Sequence, residues 1–589
     1  MTTHENPKFE IHYSQTTSID LKCLEKQNVA TVDDLHYDYN PFLIENLQNY
    51  NPTYSVFFNL TEDTYNTVAL NHKYHIVDLL HVTNYETREH VEKNIHIKYA
   101  PLIDPLKYMI GKYVSYGDSI YSLPSLTNTV SHAKLLDTNN SSYVDNFFSF
   151  LCSKLLHTHG FKHGVDYYGS FLGIQNKFKM NVIDDLDYLS SSDYFKENVN
   201  KHFFLADTEL DEFMNFGSRA NKQKLVIDDV STSIEVETLD IEPLDNNQNN
   251  TDNNDVGAIE ISDVVYEKTK NNSETKSSID SSNNSQTNYS DNYSDNDSEN
   301  DSDNDSDNDS DNNSEKWTSD SCSENDSSES YGDDAKYAYI NKFPVQLICL
   351  EKCDGTLDEL FETGKIDVHE AASVLFQIVM ILLTYQKVFH FTHNDLHTNN
   401  IMYVETDDEY LFYKYKNVVY KVPTYGKIYK LIDFGRGIYR FQGKQFCSDS
   451  FAAGGDAATQ YNCEPYMNEN KARLDPNYSF DLCRLGCSIY DFIIDDDDQD
   501  DIDQFDDLQK TIYRWCTDDN GKNILYMSNG DERYPGFKLY KMIARSVHKH
   551  TPENQLEYKF FKQFAMSTKK SKNINMEDIM DIDAMPTYV

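Results

Sequence analysis

The sequence predicts an α+β protein, and three observations carry that expectation. Segments that alternate apolar and polar residues, as strands do, occupy the early and middle parts of the 589-residue chain. An almost uniformly apolar helical stretch, "VHEAASVLFQIVMILLTYQKV", suits a core, and the last third, from "SFDLCRLGCSIYDFI" onward, is mainly helical in pattern. Strands early and helices late are interrupted by a tract with almost nothing to bury, "NYSDNYSDNDSENDSDNDSDNDSDNNSEKWTSDSCSENDSSES", and, within the helical third, by the acidic run at Asp495 to Asp507.

Taken in order, "NIHIKYAPLI" and "VDYYGSFLGI" read as strands on either side of a helix, "SSYVDNFFSFLCSKLLHTHG", expected to start on a serine cap and stop at Gly160. The Ser/Asp/Asn tract follows and is expected to be disordered, because like charges repel and few apolar side chains offset the ordering entropy. Its Asp-x-Asp-x-Asp spacing lacks the turn glycine and closing glutamate of a calcium loop. Its serines, followed by acids, suit phosphorylation. Beyond it, "FPVQLICLEKCDGTLDELF" reads as a buried strand, a turn at Asp354-Gly355 and a helix capped by Thr356. "NIMYVE", "EYLFYKYKNVVYKV" and "KIYKLIDFG" alternate as strands after the apolar helix.

The formal net charge is −46, but it is concentrated: residues 227–335 carry 31 acidic and 4 basic side chains, and ten more acids lie between Asp491 and Asp507. The low pI therefore says little about the rest of the chain, although no basic stripe stands out for nucleic acid. Ten cysteines are scattered without C-x-x-C pairs, and the Cys349/Cys353 and Cys483/Cys487 spacings read as a loop or one helix face, not zinc ligands. "MTTHENPKFEIHYSQ" has no apolar signal core, and no 18-residue apolar stretch is expected to span a membrane. An intracellular, reduced protein is the expectation.

The chemistry concentrates in "HFTHNDLHTNNIMY", His390 to Tyr403, which directly follows the apolar helix. Three readings compete: a metal site from His390, His393 and His397, a hydrogen-bonded turn, or a loop that handles phosphate. Asp395 and Asn400 lie five apart, and Asp433-Phe434-Gly435 closes the next strand pair. Two carboxylates and an amide at adjacent loop ends make a hard-oxygen site suited to Mg²⁺ with phosphate.

These residues resemble the protein-kinase signature H-R-D-L-x-x-x-N followed by D-F-G, here "HNDLHTNN" and "IDFG". "QLICLEKCDGTLDEL" looks like the strand and hinge that hold adenine, with Leu350 as gatekeeper and Glu351 to Cys353 along the hinge. "DLCRLGCSIYDF" is similar to the helix whose leading aspartate, here Asp481, ties down the catalytic loop. The resemblance implies a bilobal protein-kinase-like fold, with a small β-rich N-lobe, a mainly helical C-lobe and the acidic tract inserted in the N-lobe. It implies an N-terminal extension (1–50), a first part of the N-lobe (51–226), the insertion (227–335), the end of the N-lobe with the hinge (336–353) and the C-lobe (354–589). It implies a protein kinase that transfers the γ-phosphoryl group of ATP to Ser/Thr hydroxyls of a protein substrate. Asp395 would be the catalytic base, with Asn400 and Asp433 as Mg²⁺ ligands. Lys98 in "IHIKYAPL" would contact the α and β phosphates, with Asp145 as its acidic partner where kinases carry glutamate; His393 would be a scaffold.

The departures are specific. No glycine precedes Gly111, so the G-x-G-x-x-G phosphate lid is missing, leaving "FNLTEDTYNTVALNHKYHIVDL" as a candidate lid or the chain as a pseudokinase binding module. Asn394 replaces the arginine that pairs with a phosphorylated activation loop, so activity is expected not to need that phosphorylation; no A-P-E is visible, with "CEPY" in that region. His397 stands where serine/threonine kinases place lysine; "D-L-H-x-x-N" also resembles small-molecule phosphotransferases such as aminoglycoside and choline kinases. The composition and the insertion look most like serine/threonine kinases of giant DNA viruses, which places the chain in host cytoplasm or virion.

Overall fold

A five-stranded sheet organises the first half of the chain. The computed structural model describes residues 8–16, 39–127, 130–206, 336–494, 502–567 and 574–589. The expected disorder of 227–335, and the centre of the acidic run after Asp491, lie outside these residues. The architecture is mixed α+β, with several small sheets and a set of helices.

The sheet contains β1 (Ile44–Gln48), β2 (Ile95–Pro101), β3 (Tyr167–Asn181), β4 (Phe203–Leu205) and β5 (Tyr337–Glu351), in the order β1-β3-β5-β2 with β4 paired to β5. The central pair, β3 and β5, is antiparallel and buried along most of its length, continuously over 167–175 on one strand and 343–350 on the other. Residues 44–48, assigned from sequence to an N-terminal extension, thus complete this sheet. The pairing of β5 with β2 sets Ile348 opposite Lys98 and Leu350 opposite His96. β2 is an edge: among the described residues no strand pairs with its other side.

Against this sheet lies α1 (Ser141–His159), most of whose residues are buried. Its cap is Asn140, whose side chain accepts from the Ser142 amide, and not the serine expected from sequence; a carbonyl-bearing side chain one residue earlier reaches the same orphan donor. Gly160 ends the helix at φ 65°, a left-handed conformation open to glycine.

The candidate lid, residues 58–79, does not extend β2. Leading into it, Phe57 stacks on Phe147 of α1 at 5.2 Å. Val68–Leu70 pairs with Tyr13–Gln15, and Tyr74–Asp78 pairs with His81–Asn84. The sequence offered this stretch only as a candidate lid, and nothing local in it specifies which strands it pairs with. Phe9, in the first described segment, stacks on Tyr588 at 4.1 Å and donates its amide to the Tyr588 hydroxyl at 2.9 Å.

After β5 come β6 (Gly355–Thr356), α2 (Leu357–Glu362, with the Thr356 hydroxyl accepting from the Glu359 amide) and α3 (Val368–Phe389). The expectation of no membrane-length apolar stretch needs correction. α3 is long and apolar enough to cross a membrane, yet 94% of its most apolar window is buried inside the protein. There it forms the middle of the larger core, with β7 (Ile401–Glu405), β8 (Lys427–Leu431), α4 (Phe480–Ile493), α5 (Asp507–Trp515) and α6 (Phe537–Ser546) around it.

Candidate active site

α3 ends at His390, a left-handed residue at φ 50°, and delivers the polar loop 391–400 to a place fixed from below by α4. The buried Asp481 carboxylate accepts the backbone amides of His393 (2.9 Å) and Asn394 (2.8 Å). Burial raises the Asp481 pKa, and the two amides and His393 oppose that rise. His393 is buried and its Nε2 donates to the Ile432 carbonyl at 2.9 Å, tying this loop to the strand end that carries Asp433. Asn394 is also buried; its amide donates to the Thr392 and Arg436 carbonyls, and its oxygen accepts from the Tyr461 hydroxyl at 2.8 Å. A neutral side chain thus fastens the segment after Asp433.

Three sequence-predicted residues meet from three separate elements: β2, α1 and the turn after β8. Lys98 Nζ lies 2.9 Å from Asp145 Oδ2 and 3.0 Å from Asp433 Oδ1. Burial alone would depress the lysine, but the two carboxylates reverse the sign and raise its pKa. The same lysine overcomes burial at Asp433 and holds that group at about 2, whereas burial and the neighbouring Asp433 raise Asp145. Asp145 also accepts the Phe434 amide at 2.9 Å. Asp433 is left-handed at φ 59°, which is uncommon outside glycine and is sustained here by the bonds around it. Phe434 packs edge-on against Phe148 of α1 at 4.7 Å, and Phe148 stacks on Phe391 at 4.1 Å, so α1 and both loops share one aromatic column.

Asn400 Nδ2 donates to the Asp395 carbonyl (2.9 Å) and lies 3.0 Å from His397 Nε2. Burial lowers the His397 pKa, which favours the neutral ring that can accept from the amide. The Asp395 carboxylate is held by residues that sequence reasoning missed: Arg436 at 3.2 Å and the Tyr540 hydroxyl at 2.8 Å. Burial pushes this carboxyl up, but Arg436, His397, Arg484 and the Tyr540 hydroxyl together bring it below its usual range. Arg436 directly follows the Asp433-Phe434-Gly435 motif and could have been suspected; Tyr540 gave no local signal.

Glu351 and Cys353 were placed along a hinge that exposes backbone groups. The Glu351 amide donates to the Asp166 carbonyl at 3.0 Å, and its carboxylate pairs with Lys430 and accepts the Asp166 amide at 2.8 Å. That pairing anchors the end of β5 to β8. Cys353 is partly exposed beyond it.

Among the described residues no group of three or more His, Cys, Asp or Glu side chains could hold a metal ion, so His390, His393 and His397 do not form one. The donors Asn400 and Asp433 still fit Mg²⁺, which takes few protein oxygens and fills its remaining positions with water and substrate phosphate. No protein-family model matches the chain, and no curated protein matches it.

Proposed function

We propose that the chain is a protein-kinase-like phosphotransferase of two lobes, β-rich and mainly helical, that moves the γ-phosphoryl group of ATP to Ser/Thr hydroxyls of a protein. The observation that carries this reading is the Lys98 ammonium bracketed by Asp145 and Asp433, from three separate elements, beside a loop that presents Asp395 and Asn400. In this reading Lys98 draws the α and β phosphates toward β2 and Asp145 keeps the ammonium aimed. Asn400 and Asp433 would hold Mg²⁺, which neutralises charge on the phosphates. Asp395 accepts the proton of the attacking hydroxyl; its side chain is 23% exposed, so one side remains open to an acceptor. Leu350 and the chain from Glu351 to Cys353 would border the adenine.

A second reading, a small-molecule phosphotransferase, is favoured by His397, which contacts Asn400 where protein kinases carry lysine. A third, a pseudokinase binding module, draws on the missing glycine-rich lid and the open edge of β2. Phosphotransfer from Mg-ATP, measured for wild type and Asp395→Asn with Ser/Thr peptides beside aminoglycosides and choline, separates all three. The expected result is transfer to peptide by wild type and a loss of at least about 100-fold in the variant. Transfer only to the small molecules supports the second reading, and no transfer supports the third.

A further inference from the structure

The Asp395 carboxylate sits on an irregular loop, yet a proton acceptor works only when its lone pair is aimed at the incoming hydroxyl. Its main chain is fixed by Asn400, but its side chain must be fixed by something else. A hydrogen bond and an ion pair do so: the Tyr540 hydroxyl donates to Oδ1 at 2.8 Å, and the Arg436 guanidinium places Nη1 3.2 Å from Oδ2. Tyr540 is itself aimed. Its oxygen accepts from Arg484 Nε at 2.9 Å, and two guanidinium groups approach its ring, Arg484 at 5.1 Å and Arg436 at 5.5 Å from the centroid. The ring is 4% exposed and its helix, α6, is pinned by Ile543 and Ala544, so the hydroxyl has little freedom to leave.

We infer that Arg484 and Tyr540 form a positioning relay for Asp395, in which a cation on α4 orients a phenol on α6 and the phenol orients the carboxylate. The inference rests on the phosphotransfer reading above and extends it to residues with no motif of their own. A phenol suits this task better than a second cation. It fixes the oxygen through a neutral hydrogen bond and leaves more of the negative charge that attracts the proton. Arg436, whose other end pairs with Asp456 at 2.8 Å, restrains the second oxygen and couples the carboxylate to the segment after Asp433.

Tyr540→Phe tests the relay, because it keeps the ring beside the arginines and removes only the hydroxyl. With Mg-ATP and the best acceptor from a degenerate Ser/Thr peptide library, kcat should fall about 10- to 100-fold while KM for ATP stays within about twofold. The thermal unfolding midpoint should move little. Arg484→Gln should lower kcat in the wild-type background and add little in the Tyr540→Phe background, since the relay is already cut. Unchanged kcat in Tyr540→Phe, or fully additive effects of the two substitutions, overturns the relay while leaving the phosphotransfer reading intact. Absence of transfer from wild type to every peptide overturns both.

Discussion

The most consequential single residue is Lys98, because its removal leaves Asp145 and Asp433 facing each other with no cation between them. Breaking a largely buried ion group from one side costs about 3–5 kcal/mol, so Lys98→Met should lower stability in urea unfolding and abolish measurable ATP binding. His163 gives a different prediction. It is buried, its Nδ1–H donates to the Tyr429 carbonyl and its Nε2 accepts from the Tyr413 hydroxyl, both at 2.7 Å, so only the neutral ring fits. Burial pushes it to about 3, and burial likewise pushes His75 to about 4. Below the unfolded value, about 6.5, the unfolded chain binds protons that the folded chain refuses. Stability is therefore complete above pH 6.5 and lost as pH falls, by about 1.4 kcal/mol per pH unit for each such histidine. Urea unfolding at pH 7, 6 and 5 measures this, and His163→Gln should flatten the profile while lowering stability at pH 7.

Among elements, α1 decides whether the site is assembled, and its leading end is held by Asp449. That carboxylate accepts the Ser141 amide at 3.0 Å and pairs with Lys134, while the Asp449 amide donates to the Asn139 carbonyl at 2.7 Å. A negative group at a helix N-terminus is also favoured by the helix dipole. Asp449→Ala should cost about 1–3 kcal/mol and weaken nucleotide affinity through Asp145, which isothermal titration with ATP would show. Lys98, Asp395, Asn400 and Asp433 were legible in sequence because each lies in a short pattern whose spacing or apolar flanks restrict its position. Asp449 and Tyr540 were not, since their partners stand 308 and 145 residues away and nothing local marks them. The 58–79 segment was legible only as a candidate lid, because its place depends on distant partners: Tyr13–Gln15, α1, Tyr167 of β3 and the Ile95 amide of β2, which donates to the Leu79 carbonyl at 3.1 Å.

At the scale of the molecule, the long stretch from 207 to 335 begins and ends at one point. The Ala206 amide donates to the Tyr337 carbonyl at 2.8 Å, and β4 pairs with the start of β5. Replacing 207–335 by a four-residue turn should therefore leave the rest folded, and the smaller loop-closure cost should raise stability by up to about 3 kcal/mol. Phosphotransfer by the shortened chain should match wild type within about twofold; a large loss would mean that the stretch takes part in the reaction. The α+β class followed from patterning alone, whereas the order of strands within the sheets depends on long-range pairings that patterning does not encode.

The clasp between Phe9 and Tyr588 joins residues 579 positions apart. During synthesis at about 5–20 residues per second, Phe9 leaves the ribosome roughly 30–120 s before its partner exists. Until then the Phe9 ring has His159 and Phe441, at 6.2 and 6.0 Å, to pack against, so the clasp closes late in synthesis even though part of the seat is already built.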